Sequence, residues 1–148
     1  MLDAISQATG VKTTFNNFPT GYRAAQVFDG GAHYNHYFLK TFGLASRETV
    51  NAADTRMEPT LSQTLHLING ATVDEKLSRS SLIAGMLKKN AKQEEIVEEL
   101  YIRTLTRTPT ASEKKRMLAL TESNPKDRKT YEDIFWGLLN STEFAFNH

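Results

Sequence analysis

Asn90-Ala-Lys-Gln-Glu-Glu-Ile-Val-Glu-Glu-Leu-Tyr-Ile-Arg-Thr-Leu-Thr-Arg107-Thr-Pro-Thr-Ala-Ser-Glu113 carries the clearest helical pattern in the chain. Val97, Leu100, Tyr101 and Thr104 recur at the spacing of one helical face. Asn90 and Gln93 stand at N-cap and N3 spacing, which places the helix start at Asn90. Glu94, Glu95, Glu98 and Glu99 crowd the early turns, where the positive end of the helix dipole favours anions. Glu99 stands four residues before Arg103, the favourable order for an i,i+4 ion pair. Arg107-Thr-Pro109 ends the helix. Thr110-Ala-Ser-Glu113 then has the form of a capping box: the Thr hydroxyl and the Glu carboxylate each satisfy an amide that a new helix leaves free.

Reading toward the C-terminus, Met117, Leu118 and Leu120 supply apolar surface until Asn124-Pro125 interrupts the pattern. Asp127 is placed to cap a last helix, on which Tyr131, Ile134, Phe135, Leu138 and Leu139 share a broad face. Phe144 and Phe146 follow. Three helices with short connections point to an antiparallel bundle.

Reading toward the N-terminus, Leu82, Ile83, Met86 and Leu87 form a short amphipathic piece. Thr72-Val-Asp-Glu75 reads as another capping box, opening a helix that runs to about Arg79. Glu58-Pro59 opens a helix striped by Leu61, Leu65 and Ile68, and Asn69-Gly70 closes it. His33 to Phe42 is aromatic-rich and helical in pattern. Leu2, Ile5 and Thr9 fit a short helix stopped by Gly10, and Val11 to Pro19 reads as extended or looped. No segment alternates with period two for more than a few residues. The expected fold is mainly α, a C-terminal antiparallel helical bundle with a loop-rich, partly helical N-terminal half. The chain reads as one unit, 1–148: a loop-rich part (1–57), short helices (58–90) and the bundle (91–148).

Composition narrows the function classes. A chain of 148 residues supports one ordinary domain and buries roughly 70% of its unfolded surface, so it needs no staple. The absence of Cys excludes a disulfide framework, a thiolate zinc site, a Cys nucleophile and covalent c-type haem attachment. A net charge of +1 argues against a dedicated nucleic-acid binder. No apolar run approaches the ~18 residues of a membrane span. Met1 to Ser6 lacks the basic and apolar regions of a signal peptide, so none is expected in this chain. Charge is unevenly spread, with five Lys/Arg and six Asp/Glu in residues 1–74 against 13 and 11 in residues 75–148. The charge-poor half is therefore where a partner surface is expected.

Candidate chemistry gathers in that half. His33 and His36 would share a helical face, with Asp29 or His66 as a third ligand. Two His at this spacing without an HExxH pattern are a weak signal, and the expectation is no metal. Arg47, Glu48, Arg56 and Glu58 can bind an anionic ligand or partner, with His66 nearby, but Arg/Glu sets more often pair with one another and hold a loop. Tyr22, Tyr34, Tyr37 and Phe38 would suit carbohydrate stacking if their rings were coplanar and exposed. No P-loop, no GxGxxG and no nucleophile elbow is present. Trp136 reads as a core or interface anchor.

Several strings resemble a known family when read together. They are Leu2-Asp-Ala-Ile-Ser-Gln-Ala-Thr-Gly10, Tyr37-Phe-Leu-Lys-Thr-Phe-Gly43, Arg47-Glu-Thr49, Glu58-Pro-Thr-Leu-Ser-Gln-Thr-Leu-His-Leu-Ile-Asn-Gly70, Glu98-Glu-Leu-Tyr-Ile-Arg-Thr-Leu-Thr-Arg107 and Trp136-Gly-Leu-Leu-Asn-Ser-Thr-Glu-Phe-Ala-Phe-Asn-His148. In this order they resemble the C-terminal part of the PSD domain family (domain of unknown function 1553) of large exported planctomycete proteins. The resemblance implies export or a periplasmic location and a natural start upstream of Met1. It also implies a cytochrome-c-like domain among the upstream domains, so any haem would sit there and no cofactor is expected here. Relatives often carry Cys between the Arg-Glu and Glu-Pro-Thr strings, whereas Val50-Asn-Ala-Ala-Asp-Thr-Arg56 has none. The family lends no catalytic residue.

The reading that follows is a non-catalytic helical scaffold or interaction module. Its partners would be the upstream domains, other envelope proteins or polysaccharide, and it would carry an apolar patch on residues 1–57. The alternatives are a fragment of an envelope enzyme, redox or polysaccharide-hydrolysing, with a site near Arg47, Glu48, Arg56 and Glu58, and a carbohydrate-binding module.

Overall fold

A computed structural model of the chain describes residues 1–15, 18, 19, 21–27 and 71–147. Among them the regular structure is helical throughout: α1 (Leu2–Thr9), a 3-10 turn (Ala24–Gln26), α2 (Ala71–Arg79), α3 (Leu82–Lys88), α4 (Gln93–Leu105), α5 (Ala111–Thr121), α6 (Arg128–Leu139) and α7 (Thr142–Asn147). The protein is mainly α, as the periodicity indicates. The chain divides into two compact units: Met1, Asp3–Val11 and Val73–His148 make one, Leu2 and Lys12–Thr72 the other.

In the first unit α4, α5 and α6 form an up-down-up bundle. Gln93 at the start of α4 donates through Nε2 to the carbonyl of Thr121 at the end of α5 (3.1 Å), which fixes the two helices as antiparallel. The core is the apolar stripe of α4 (Ile96, Val97, Leu100, Tyr101, Leu105) together with that of α6 (Tyr131, Ile134, Phe135, Leu138, Leu139), all buried. Two fully buried hydroxyls are satisfied within their own helices: Thr104 Oγ1 donates to Leu100 O (2.7 Å) and Thr121 Oγ1 to Leu118 O (3.0 Å). Phe144 of α7 is buried as well.

Helix ends follow the local chemistry in most places. The Thr110 amide donates to Glu113 Oε2 (2.7 Å) and the Glu113 amide to Thr110 Oγ1 (3.3 Å), so the expected capping box forms. Asp127 accepts the amides of Lys129 (3.1 Å) and Thr130 (3.2 Å) at the start of α6. Gly10, at φ 71°, closes α1 in the left-handed conformation that glycine adopts without steric cost. Glu99 pairs with Arg103 at 2.7 Å.

Three local expectations are corrected. Asn90 does not cap α4; it lies at φ 53° and ends α3. The Asn90 amide bonds to Leu87 O (3.0 Å) and the Ala91 amide to Met86 O (3.1 Å), the paired bonds of a Schellman motif. The N-cap of α4 is Lys92, whose amide donates to Glu95 Oε2 (2.9 Å). Thr72 is not an N-cap either, because α2 already includes Ala71. α4 stops at Leu105, before Arg107-Thr-Pro109: Thr106 turns left-handed at φ 56° while its amide still bonds Ile102 O (3.1 Å). That conformation strains a β-branched residue. Leu120 and Phe146 point outward, 60% and 86% exposed.

In the second unit the described residues include buried Phe15 and Val27. The half-buried Tyr22 ring tilts against Phe18, with centroids 5.1 Å apart and planes at 40°.

Candidate functional site

The candidate residues His33, His36, Arg47, Glu48, Arg56, Glu58 and His66, along with Asp29, Tyr34, Tyr37 and Phe38, lie outside the described residues. The same holds for the helix beginning at Glu58-Pro59. Among the described residues no three His, Asp or Glu side chains gather as a cation cage. What the described residues do contain is a charge cluster where the ends of α4 and α6 meet the start of α5.

Arg107 stands two residues past α4. Its Nε–H donates to Glu143 Oε1 (2.7 Å), and its Nη2 donates to Glu143 Oε2 (2.8 Å) and Glu113 Oε1 (2.9 Å). Nη1 donates to Glu113 Oε2 (3.0 Å) and to Thr108 O (3.2 Å). A guanidinium has five N–H donors in a planar fork, and here each has an acceptor. The fork also lies 5.6 Å from the centroid of the Tyr101 ring, within cation–π range.

The electrostatics follow from this geometry. The hydrogen bonds that Arg107 donates to Glu143 and Glu113 raise its pKa further. The Arg107 bond, helped by the Thr110 amide and hydroxyl, holds the Glu113 carboxyl down at about 2. Arg107 likewise lowers Glu143. Burial raises the Tyr101 hydroxyl, reinforced by the charge of Glu113. Glu113 therefore serves twice: one carboxylate completes the cap of α5 and anchors Arg107, which in turn holds Glu143 at the start of α7.

Other charged side chains of this unit are also used between or within helices. Lys114 bridges from α5 to Glu98 (2.8 Å) and Glu94 (3.4 Å) on α4. Arg128 pairs with Glu132 (2.6 Å) and donates through Nη2 to Ser78 O beyond the bundle (3.0 Å). Asp127 is lowered by the Thr130 hydroxyl and the Lys129 amide, which are cap contacts. At the start of α4 a shallow cleft of about 470 Å³ is lined by Leu87, Ala91 and Pro125 together with Lys92, Glu94 and Lys126. Asn140, at the end of α6, donates to Trp136 O (2.9 Å), and its buried Oδ1 meets no donor among the described residues.

The family described as PSD1, a protein of unknown function (DUF1553), matches residues 12–121. The chain belongs to this family. The PSD1 match spans most of the chain and stops at the end of α5, so α6, α7 and Glu143 lie beyond it. No curated protein and no solved structure matches this PSD1 chain. Among its described residues no helix is long and apolar enough to cross a membrane.

Sequence reasoning treated Arg107 as part of a helix stop and Glu143 as part of a family string. Nothing local pairs residues 36 positions apart. The available signal was weaker: an Arg two residues past a helix and a Glu in the first turn of another are charges placed near helix ends.

Proposed function

We propose that this PSD1 chain is a helical scaffold or interaction module of a larger exported planctomycete-type protein, with no catalysis of its own. Its partner is the sequence that precedes it in longer family members, where any haem-bearing domain also sits. The observation carrying this reading is what the Arg107 cluster does with its charges. Groups with displaced titration often mark catalytic sites. Here Arg107, Glu113 and Glu143 are displaced by one another, all five guanidinium donors are occupied from within, and the result is three helix ends held together. A cluster already saturated by its own fold acts as a fastening.

The test is titration calorimetry of the 148-residue chain against the preceding segment of a longer PSD1 protein, expressed separately, with gel filtration of the mixture. Saturable heat and a co-eluting complex support the module reading. Absence of both at concentrations of about 100 μM, corresponding to binding weaker than roughly −5.5 kcal/mol, would sink it.

A further inference from the structure

One cation is held differently. Lys76 of α2 is buried, 6% exposed, and its Nζ donates to the carbonyl of Val11 just beyond α1 (2.9 Å). One turn further on, the buried Ser80 Oγ donates to Thr9 O, the last carbonyl of α1 (2.6 Å). The last carbonyls of a helix have no partner within it. Ser80 supplies a partner for Thr9 from 71 positions away, and Lys76 one for Val11, two residues further on, from 65 positions away.

Chain order gives these two bonds their importance. The first unit is left after Val11 and resumed at Val73, and Lys12–Thr72 belongs to the second unit. α1 is therefore joined to α2 covalently only by way of that excursion. Its attachment to the first unit includes these two bonds and its buried residues, among them Ile5 and Ala8.

We propose that Lys76 and Ser80 form a latch on α1, and that protonation of Lys76 loosens it, so that α1 is a strap which lifts more readily in neutral than in alkaline solution.

The physical reason is that a buried ammonium loses hydration. Burial lowers the Lys76 pKa to about 8, Arg79 of α2 adds to the lowering, and Glu75 of α2 and Asp3 of α1 oppose it. These are the charged groups that act on it among the described residues. With α1 lifted, Lys76 meets water and returns toward its ordinary 10.5. The lifted state then binds the proton more tightly, so protons favour lifting. Below about pH 8 the ammonium is charged in both states and the strap is at its loosest. From pH 8 to 10.5 docking strengthens, and above that window it is constant.

The native chain has no Cys, so a single introduced thiol reports α1 cleanly. Ala8→Cys in the full chain, labelled with an aromatic disulfide reagent and normalised at each pH to the same chain in denaturant, measures strap opening. Thr104→Cys in the bundle core measures opening of the whole unit. The normalised labelling of Ala8→Cys is expected to slow by about tenfold or more between pH 7.5 and 10. In the Lys76→Met background that slope disappears. Ser80→Ala speeds labelling at every pH and keeps the slope, which tests the latch even if Lys76→Met does not fold. A flat profile at Ala8→Cys, the same slope with Met at position 76, or labelling at Ala8→Cys that merely tracks Thr104→Cys would each overturn the proposal.

Discussion

Arg107 and Lys76 both fasten the end of one helix to another part of the chain, and their surroundings make them opposites. Arg107 is 35% exposed and meets two carboxylates in fork geometry, so the fold strengthens its charge. Lys76 is buried against a neutral carbonyl, so the fold weakens its charge. A guanidinium at the surface keeps part of its hydration while it gains bonds to ions. An ammonium in the interior gives up hydration for a single dipole. Attachment by Arg107 is accordingly built in at any physiological pH, whereas attachment by Lys76 carries a proton-dependent cost. The difference separates a permanent joint from an adjustable one within the same unit.

The comparison can be broken at its foundation. Both fastenings rest on a core that neither creates, so Phe135→Ala, which empties a fully buried site, lowers the unfolding free energy by ~3–5 kcal/mol in a urea melt. A smaller loss would mean that charge contacts carry more of the stability than burial does. The next test sets the two cations side by side. At pH 7 Arg107→Met lowers the thermal midpoint, because it strands Glu113 and Glu143 together. Lys76→Met lowers it less or raises it, because it removes a buried charge. Equal losses would erase the distinction.

The pH limbs sharpen the contrast further. Glu113 titrates at about 2 in the fold against an ordinary 4.5, so its contribution is complete above pH 4.5 and is lost as pH falls toward 2. Glu113→Gln therefore flattens the acid limb of a stability profile and leaves the alkaline limb unchanged. Lys76→Met does the reverse, flattening the rise between pH 8 and 10.5. Thr110→Ala removes a neutral hydroxyl from the same cap and costs ~1 kcal/mol by chemical denaturation, with little pH dependence of its own. The smallest effect belongs to Leu120→Glu, expected within ~0.5 kcal/mol because the side chain already faces water.

The sequence was most legible where both partners of a contact lie within one helical turn. Thr110 with Glu113, Asp127 with Thr130, Glu99 with Arg103 and the left-handed Gly10 are such cases. The buried face of α6 was legible too, because five large apolar residues at helical spacing have nowhere else to go. Asn90 was misread because an Asn between two helices serves either as N-cap of the second or as left-handed end of the first. Backbone bonds to Met86 and Leu87 select the latter. Nothing in the local pattern marked Thr106 as left-handed, since a Gly or Asn would be the usual signal.

The helical character of this protein, the starts of α5 and α6, most of the core residues on α4 and α6, and the resemblance to the PSD1 family can all be read from the sequence. Those are consequences of backbone hydrogen bonding and hydrophobic periodicity, which act within a few residues. That Arg107 finds Glu143 and that Lys76 is buried against the carbonyl just beyond α1 follows from how the helices pack. Contacts spanning 36 and 65 positions depend on how whole helices are placed, and that placement is set by the summed burial of many side chains rather than by any one of them.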